Sequence, residues 1–202
     1  MHLRFLSLAL AALVVLQLAL AHQAAAGAPT DQIRGHVEAV YKNTNRAGAG
    51  GTDERSVEAR KIMAQMFDWA EMSRRALGPH WAERSPAERT EFVRLFTALF
   101  ERAYLSKVHL VDAERFQYLG DTIQGDEAVV RTKVLTKHDQ EIPVNYRTRR
   151  DEGGRWRVYD LDVEGISLVD NYRRQFNSII TRSSYSDLVS KLSKAVEDKR
   201  GS

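Results

Sequence analysis

The sequence predicts an α+β domain, with a curved antiparallel sheet of about four strands wrapped by helices from both ends of the chain. Three observations carry this. Apolar residues recur at helical spacing up to about residue 110 and again after Ser167. Between them the period falls to two, over four runs separated by short turn signals. Links that short join antiparallel neighbours, and the order helices, strands, helices is that of an α+β domain.

Arg4 precedes an apolar run from Phe5 to Leu20 and a cluster of small residues, the order of a secretory signal peptide. Cleavage is expected after Ala21 or Ala26, so residues 1–26 are a leader and 27–202 a single domain. The run is shorter than the roughly 20 residues that span a bilayer. No Cys stands at the cleavage site to carry a lipid anchor. The chain has no Cys at all, so an exported domain must rest on its packed core. A periplasmic address suits that best. The net charge is +3, and loss of Arg4 with the leader leaves +2, too little to argue for nucleic acid.

The elements follow in order. Thr30 or Asp31 is placed to cap a first helix, with Ile33, Val37, Val40 and Tyr41 on one face. A Gly-rich loop covers about 43–52. Asp53 opens a second helix whose stripe is Ile62, Met63, Met66, Phe67 and Ala70, and Gly78-Pro79 ends the segment. Ser85, Pro86 and Glu88 form a capping box for a long helix to about Leu110. Its apolar arc, from Phe92 and Phe96 to Phe100 and Tyr104, is wide enough to face two neighbours or a cavity. Strand alternation then runs through Phe116 and Tyr118, Val130 to Val134, Ile142 to Tyr146, and Tyr159 to Val163. Gly120-Asp121, Gly125-Asp126, His138-Asp139 and Gly153-Gly154 read as turns. Two helices close the chain, near 167–181 and 186–199.

Chemistry is hard to find. The six histidines are scattered, with no H-E-x-x-H and no i, i+4 pair. No nucleophile elbow, Walker loop or dinucleotide fingerprint is present, so no cofactor is expected. Asp160, Asp162 and Glu164 alternate along the fourth strand. They could bind a metal or act as acid and base, but alternation with Tyr159, Leu161 and Val163 is also what a solvent-facing strand side produces. Arg147, Arg149 and Arg155 crowd one hairpin, either as a solvated hairpin end or as a surface for anionic head groups or an acidic partner. What remains is a large set of aromatic and methionine side chains on apolar faces, suited to an ordinary core or to a greasy ligand.

Four separated stretches then resemble one family: F-D-W-A-E-M-S-R-R-A-L-G-P-H-W at 67–81, S-P-A-E-R-T-E-F-V-R-L-F at 85–96, W-R-V-Y-D-L-D-V-E-G-I-S-L-V at 156–169 and Y-R-R-Q-F at 172–176. They are similar, in one order and spacing, to the periplasmic lipid-shuttle proteins of the MlaC or toluene-tolerance auxiliary family, over nearly the whole mature chain. The Gly-rich stretch at 46–51 departs from the pattern. The resemblance implies a nuclear-transport-factor-like or cystatin-like fold with an apolar cavity. It implies a phospholipid ligand, and as partners an outer-membrane lipoprotein and the MCE-domain subunit of an inner-membrane ABC transporter. A hopanoid-carrying subgroup is the alternative ligand class. An enzyme of the same general architecture using Asp160 or Asp162 is the rival activity. Under the carrier reading Phe67, Met72, Phe96, Phe100, Tyr104, Val144, Tyr146, Leu161, Ile166, Leu168, Tyr172 and Phe176 line the cavity. Arg147, Arg149 and Arg155 then meet head groups or a partner. With no exposed apolar heptad, a monomer is expected.

Overall fold

The computed structural model describes residues 29–45, 52–104 and 113–197. The expected leader, the Gly-rich stretch at 46–51 and the continuations of two helices, to about 110 and to 199, lie outside the described residues. Helix α1 spans Pro29–Asn45 and α2 spans Thr52–Met66. Ile33 and Val40, and Ala59, Met63 and Met66, are their buried positions. Capping of α1 by Thr30 or Asp31 does not occur. The helix starts at Pro29, which has no N–H to lose in a first turn. Thr30 donates its backbone N–H and its hydroxyl to the Asp121 carboxylate instead.

The apolar stripe from Ile62 to Ala70 is not one helix. Phe67 leaves helical geometry and forms a parallel bridge with Val158. The Asp68 N–H donates to the Val158 carbonyl at 2.8 Å. The Asp68 carboxylate accepts from the Glu71 N–H at 3.0 Å, so it caps a new helix, α3 (Trp69–Leu77). A 3-10 turn at Gly78–Trp81 follows. Helix α4 (Pro86–Tyr104) opens on the predicted capping box: the Ser85 N–H donates to Glu88 at 2.7 Å, and the Glu88 N–H to Ser85 Oγ at 3.3 Å.

The sheet has five strands in chain order, all antiparallel: β1 (Ala113–Gln124), β2 (Glu127–Thr136), β3 (Glu141–Arg150), β4 (Trp156–Val163) and β5 (Ile166–Ser167). Two irregularities depart from the sequence reading. Gly120-Asp121 is not a turn. Strand β1 runs through it, with Gly120 at φ +97° beside a register shift, as a bulge requires. In β4 a second shift leaves Tyr159 without a partner between Val158, opposite Thr148, and Asp160, opposite Arg147. The short β5 was not expected. It folds back across Glu164-Gly165, with φ of +53° and +82°, the mirror-image turn that suits a two-residue hairpin.

Ser167 caps α5 (Leu168–Arg182) by accepting from the Asp170 N–H at 3.0 Å. Helix α6 (Tyr185–Glu197) buries Leu188 and Leu192. Where α4 meets α5, Phe92, Phe96, Tyr172 and Phe176 pack edge to face at 5.1–5.7 Å between ring centres, a preferred aromatic geometry. No helix among the described residues is long and apolar enough to cross a membrane.

Candidate functional site: an apolar hollow against the sheet

Alternation fixes the inner face of the sheet. Val134 faces Ile142 across β2 and β3, and Val144 and Tyr146 of β3 face Val163 and Leu161 of β4. Opposite stand Val37, Val40 and Tyr41 of α1, Met63 and Met66 of α2, Phe100 and Tyr104 of α4, and Leu168 at the start of α5. Between the two walls lies a hollow of about 460 Å³. That is about three times the roughly 150 Å³ engineered apolar cavity that stays dry and takes up benzene. It falls within the roughly 300–1,000 Å³ of ordinary ligand sites.

The polar groups on this lining are few and quiet. Tyr41 donates its hydroxyl to the Ala113 carbonyl. Burial holds the Tyr146 phenol well above its usual range, with the Thr132 hydroxyl as its partner, so it stays neutral. Glu164, on the positive-φ turn, is the one carboxylate among the described lining residues. It is exposed. Such a chamber can shelter hydrocarbon.

Seven of the twelve residues named from the sequence meet in this hollow: Phe67, Phe100, Tyr104, Val144, Tyr146, Leu161 and Leu168. Met72, Phe96, Tyr172 and Phe176 do not. They belong to the packing among the helices, where Met72, Phe96 and Phe176 are buried and Tyr172 is half-buried against them. Ile166 is 56% exposed on the short β5. Residues not named for the site, Val134, Ile142 and Val163, complete the sheet wall, and Val37, Tyr41, Met63 and Met66 the helix wall. Their signal was present as alternation and as helix stripes, but nothing in it distinguished a wall from a core.

The hairpin arginines lie elsewhere. Arg147 and Arg149 alternate with Val144 and Tyr146, so they stand on the outer sheet face. Arg149 approaches Glu71 at 3.6 Å, and Arg155 pairs with Asp151 at 2.9 Å. Asp160 shares that outer face, but the expectation that it is solvated is wrong. It is 5% exposed. Its two oxygens accept from Ser167 Oγ at 2.6 Å and the Val169 N–H at 3.0 Å, tying β4 to the start of α5. The bulge also turns Tyr159 to this side, away from Leu161 and Val163. Burial raises the Asp160 pKa, and the bonds from Ser167 and Val169 oppose the rise. The carboxylate is therefore spent on a helix terminus and does not reach the hollow. No group of His, Asp and Glu suited to a metal ion occurs among the described residues.

Comparison with known families decides the kinship: a family model described as MlaC protein matches residues 32–194. The chain belongs to the MlaC family. A relative from Haemophilus influenzae, the intermembrane phospholipid transport system binding protein MlaC, is 20% identical over 122 residues, 58% of this chain and 57% of that protein. This MlaC-family chain thus spans little more than half the length of that relative. The solved structure of a phospholipid-binding protein from Ralstonia solanacearum, in complex with a phospholipid, is similar with a TM-score of 0.74 at 21% identity. The likeness covers 85% of this chain and 98% of that one. It establishes the fold: a helix-wrapped, open antiparallel sheet.

Proposed function

We propose that this MlaC-family chain is a periplasmic carrier that takes a phospholipid by its acyl chains and moves it between membranes. The hollow carries the proposal: a site-sized space whose described walls are hydrocarbon except for tyrosine hydroxyls and one exposed carboxylate. The names borne by the Haemophilus and Ralstonia proteins point to the same ligand class.

Energetics explain why a carrier is needed. Each methylene kept from water contributes ~0.8 kcal/mol. Two acyl chains of roughly thirty methylenes would forfeit about 24 kcal/mol in water, beyond the practical ceiling for non-covalent affinity. A carrier must nearly replace the bilayer and still release at a partner. The partners of this proposal are an outer-membrane lipoprotein complex and an MCE-domain subunit of an inner-membrane ABC transporter, with the carrier acting as a monomer. The head group stays in water, so no dedicated polar pocket is required. The non-catalytic reading rests on the lining itself, since the buried carboxylate Asp160 is held on the other side of the sheet.

The test is extraction of the purified protein with organic solvent and mass spectrometry of what it releases, beside the variant Val144→Glu. Wild type should yield about one lipid per chain, and the spectrum names its class, phospholipid or hopanoid. The variant should yield almost none while remaining folded. Normal lipid content in Val144→Glu, or no lipid in either protein, would overturn the assignment.

A further inference from the structure

A second concavity lies across the sheet from the hollow, and it is polar. It occupies about 510 Å³, with Arg74 of α3, Arg147 of β3 and Arg173 of α5 on its rim and Asp160, Ser167 and Val169 toward its floor. Of its lining residues the carrier reading gives a role to Arg147 alone, in meeting head groups or a partner. We propose that it binds an oxyanion of the phosphate class.

The donors come first. Arg147 lies 3.7 Å from Asp160 and 4.0 Å from Asp162, too far for a hydrogen bond, and it makes none to any described residue. Among the described residues Arg173 has one charged partner, Asp170, which it meets through one terminal nitrogen at 2.9 Å. Arg74 spends Nε and one terminal nitrogen on Glu71 at 2.7 Å and keeps its other terminal nitrogen. Three guanidinium forks from three elements therefore hold unused N–H groups around one space. Planar forks of this kind match the oxygens of phosphate better than a point charge does.

The acids nearby are already committed. Both Asp160 oxygens accept from Ser167 and Val169 on the floor of the concavity, so that carboxylate is already hydrogen-bonded at the start of α5. Asp170 faces Arg173. Glu71, 7% exposed, is gripped by Arg74 and Arg75. Arg75 spends Nε on Glu71 and one terminal nitrogen on Glu127, and its guanidinium lies 3.8 Å over the Tyr159 ring. The four lining arginines face Asp160, Asp170, Glu71 and Glu127, so the local charges balance, and it is the unused N–H groups of the forks that suit an oxyanion.

The rim is also shaped. The Arg173 stem lies over Gly78, where an added Cβ would come within 3.1 Å of its Cδ. A glycine there lets the guanidinium approach from α5.

The site does not depend on the carrier reading, and its test reads a different signal. Inorganic phosphate is titrated into the full chain while the arginine Nε–H resonances are followed by NMR. Vesicles with and without phosphatidylglycerol form a second arm. The Arg147 and Arg173 signals should shift and saturate, and Arg147→Gln with Arg173→Gln should weaken phosphate at least about tenfold, as loss of charged hydrogen bonds implies. Arg131→Gln, a surface control that loses a bond to Thr122, should bind as wild type does. Arg147→Lys should lose most of the affinity, because the fork is gone though the charge remains. Binding only to phosphatidylglycerol vesicles, lost in the double variant, would identify the phosphate as a lipid head group. Overturning results are no saturable shift in either arm, equal binding by the double variant and wild type, or full affinity in Arg147→Lys. Because these arginines are about half exposed, the variants should fold, and circular dichroism checks that they do.

Discussion

Replacing Val144 with tryptophan fills the hollow from its sheet wall. Val144 stands between Thr132 and Val163 in the register and points into the space. A buried tryptophan covers roughly 100 Å² more than valine, which at ~25 cal/mol per Å² contributes about 2.5 kcal/mol to the empty protein. Overpacking, which costs about 1–3 kcal/mol in a filled core, does not arise where about 460 Å³ is vacant. The indole meanwhile takes the place of roughly four lipid methylenes, worth ~3 kcal/mol, so lipid should be held about 150-fold less tightly. Thermal unfolding of delipidated protein and competition for a fluorescent phospholipid read the two effects separately. The variant should melt no lower than wild type and lose most of its lipid affinity. A drop of several kcal/mol in stability would mean that no void exists beside Val144. Undiminished affinity would mean that the lipid sits elsewhere.

Two other perturbations test the scaffold. Arg74 and Arg75 hold the Glu71 carboxyl at about 2, below its ordinary 4.5, by hydrogen bonds that outweigh burial. A depressed acid stabilises above its unfolded pKa and loses that contribution as pH falls toward the folded value. Allowing for screening of its half-exposed arginine partners, about 2 kcal/mol should vanish between pH 4.5 and 2. Denaturant midpoints across that window should be flatter for Glu71→Gln, and an unchanged acid limb would contradict the pairing. Asp160→Ala strips the acceptor from Ser167 Oγ and the Val169 N–H, so urea unfolding should register a loss of about 2–4 kcal/mol. Asp160→Asn keeps one acceptor and should lose roughly half as much. Equal, negligible losses in both would show that the carboxylate does not tie β4 to α5.

Much of this fold was legible in the sequence because period and caps are local signals. The change of period from 3.6 to 2 between the long helix and the strands, the Ser85–Glu88 box and the helix start near Ser167 needed no tertiary knowledge. The misses share a cause. A bulge at Tyr159 changes which side chains share a face, but without a glycine it leaves no mark in the sequence. Asp160 keeps the outer face that alternation gives it, but it read as solvent-facing because nothing local shows that the start of α5 covers that face. The break at Phe67-Asp68 depends on β4 lying beside it, a contact 91 positions away in sequence. The hollow itself was half legible. Apolar side chains look alike whether they meet neighbours or a void, so Phe96 and Phe176 could not be told from Phe100 and Tyr104. Only the placement of α1 and α2 over the sheet showed which faces stand apart.

The most direct measurement starts from delipidated chain mixed with donor vesicles carrying a labelled phospholipid and acceptor vesicles without it. The chain should collect about one lipid per molecule and hasten delivery to the acceptors, and Val144→Trp should do neither well. A chain recovered bare from the vesicles, with transfer no faster than in buffer, would contradict the central claim that this space exists to hold acyl chains.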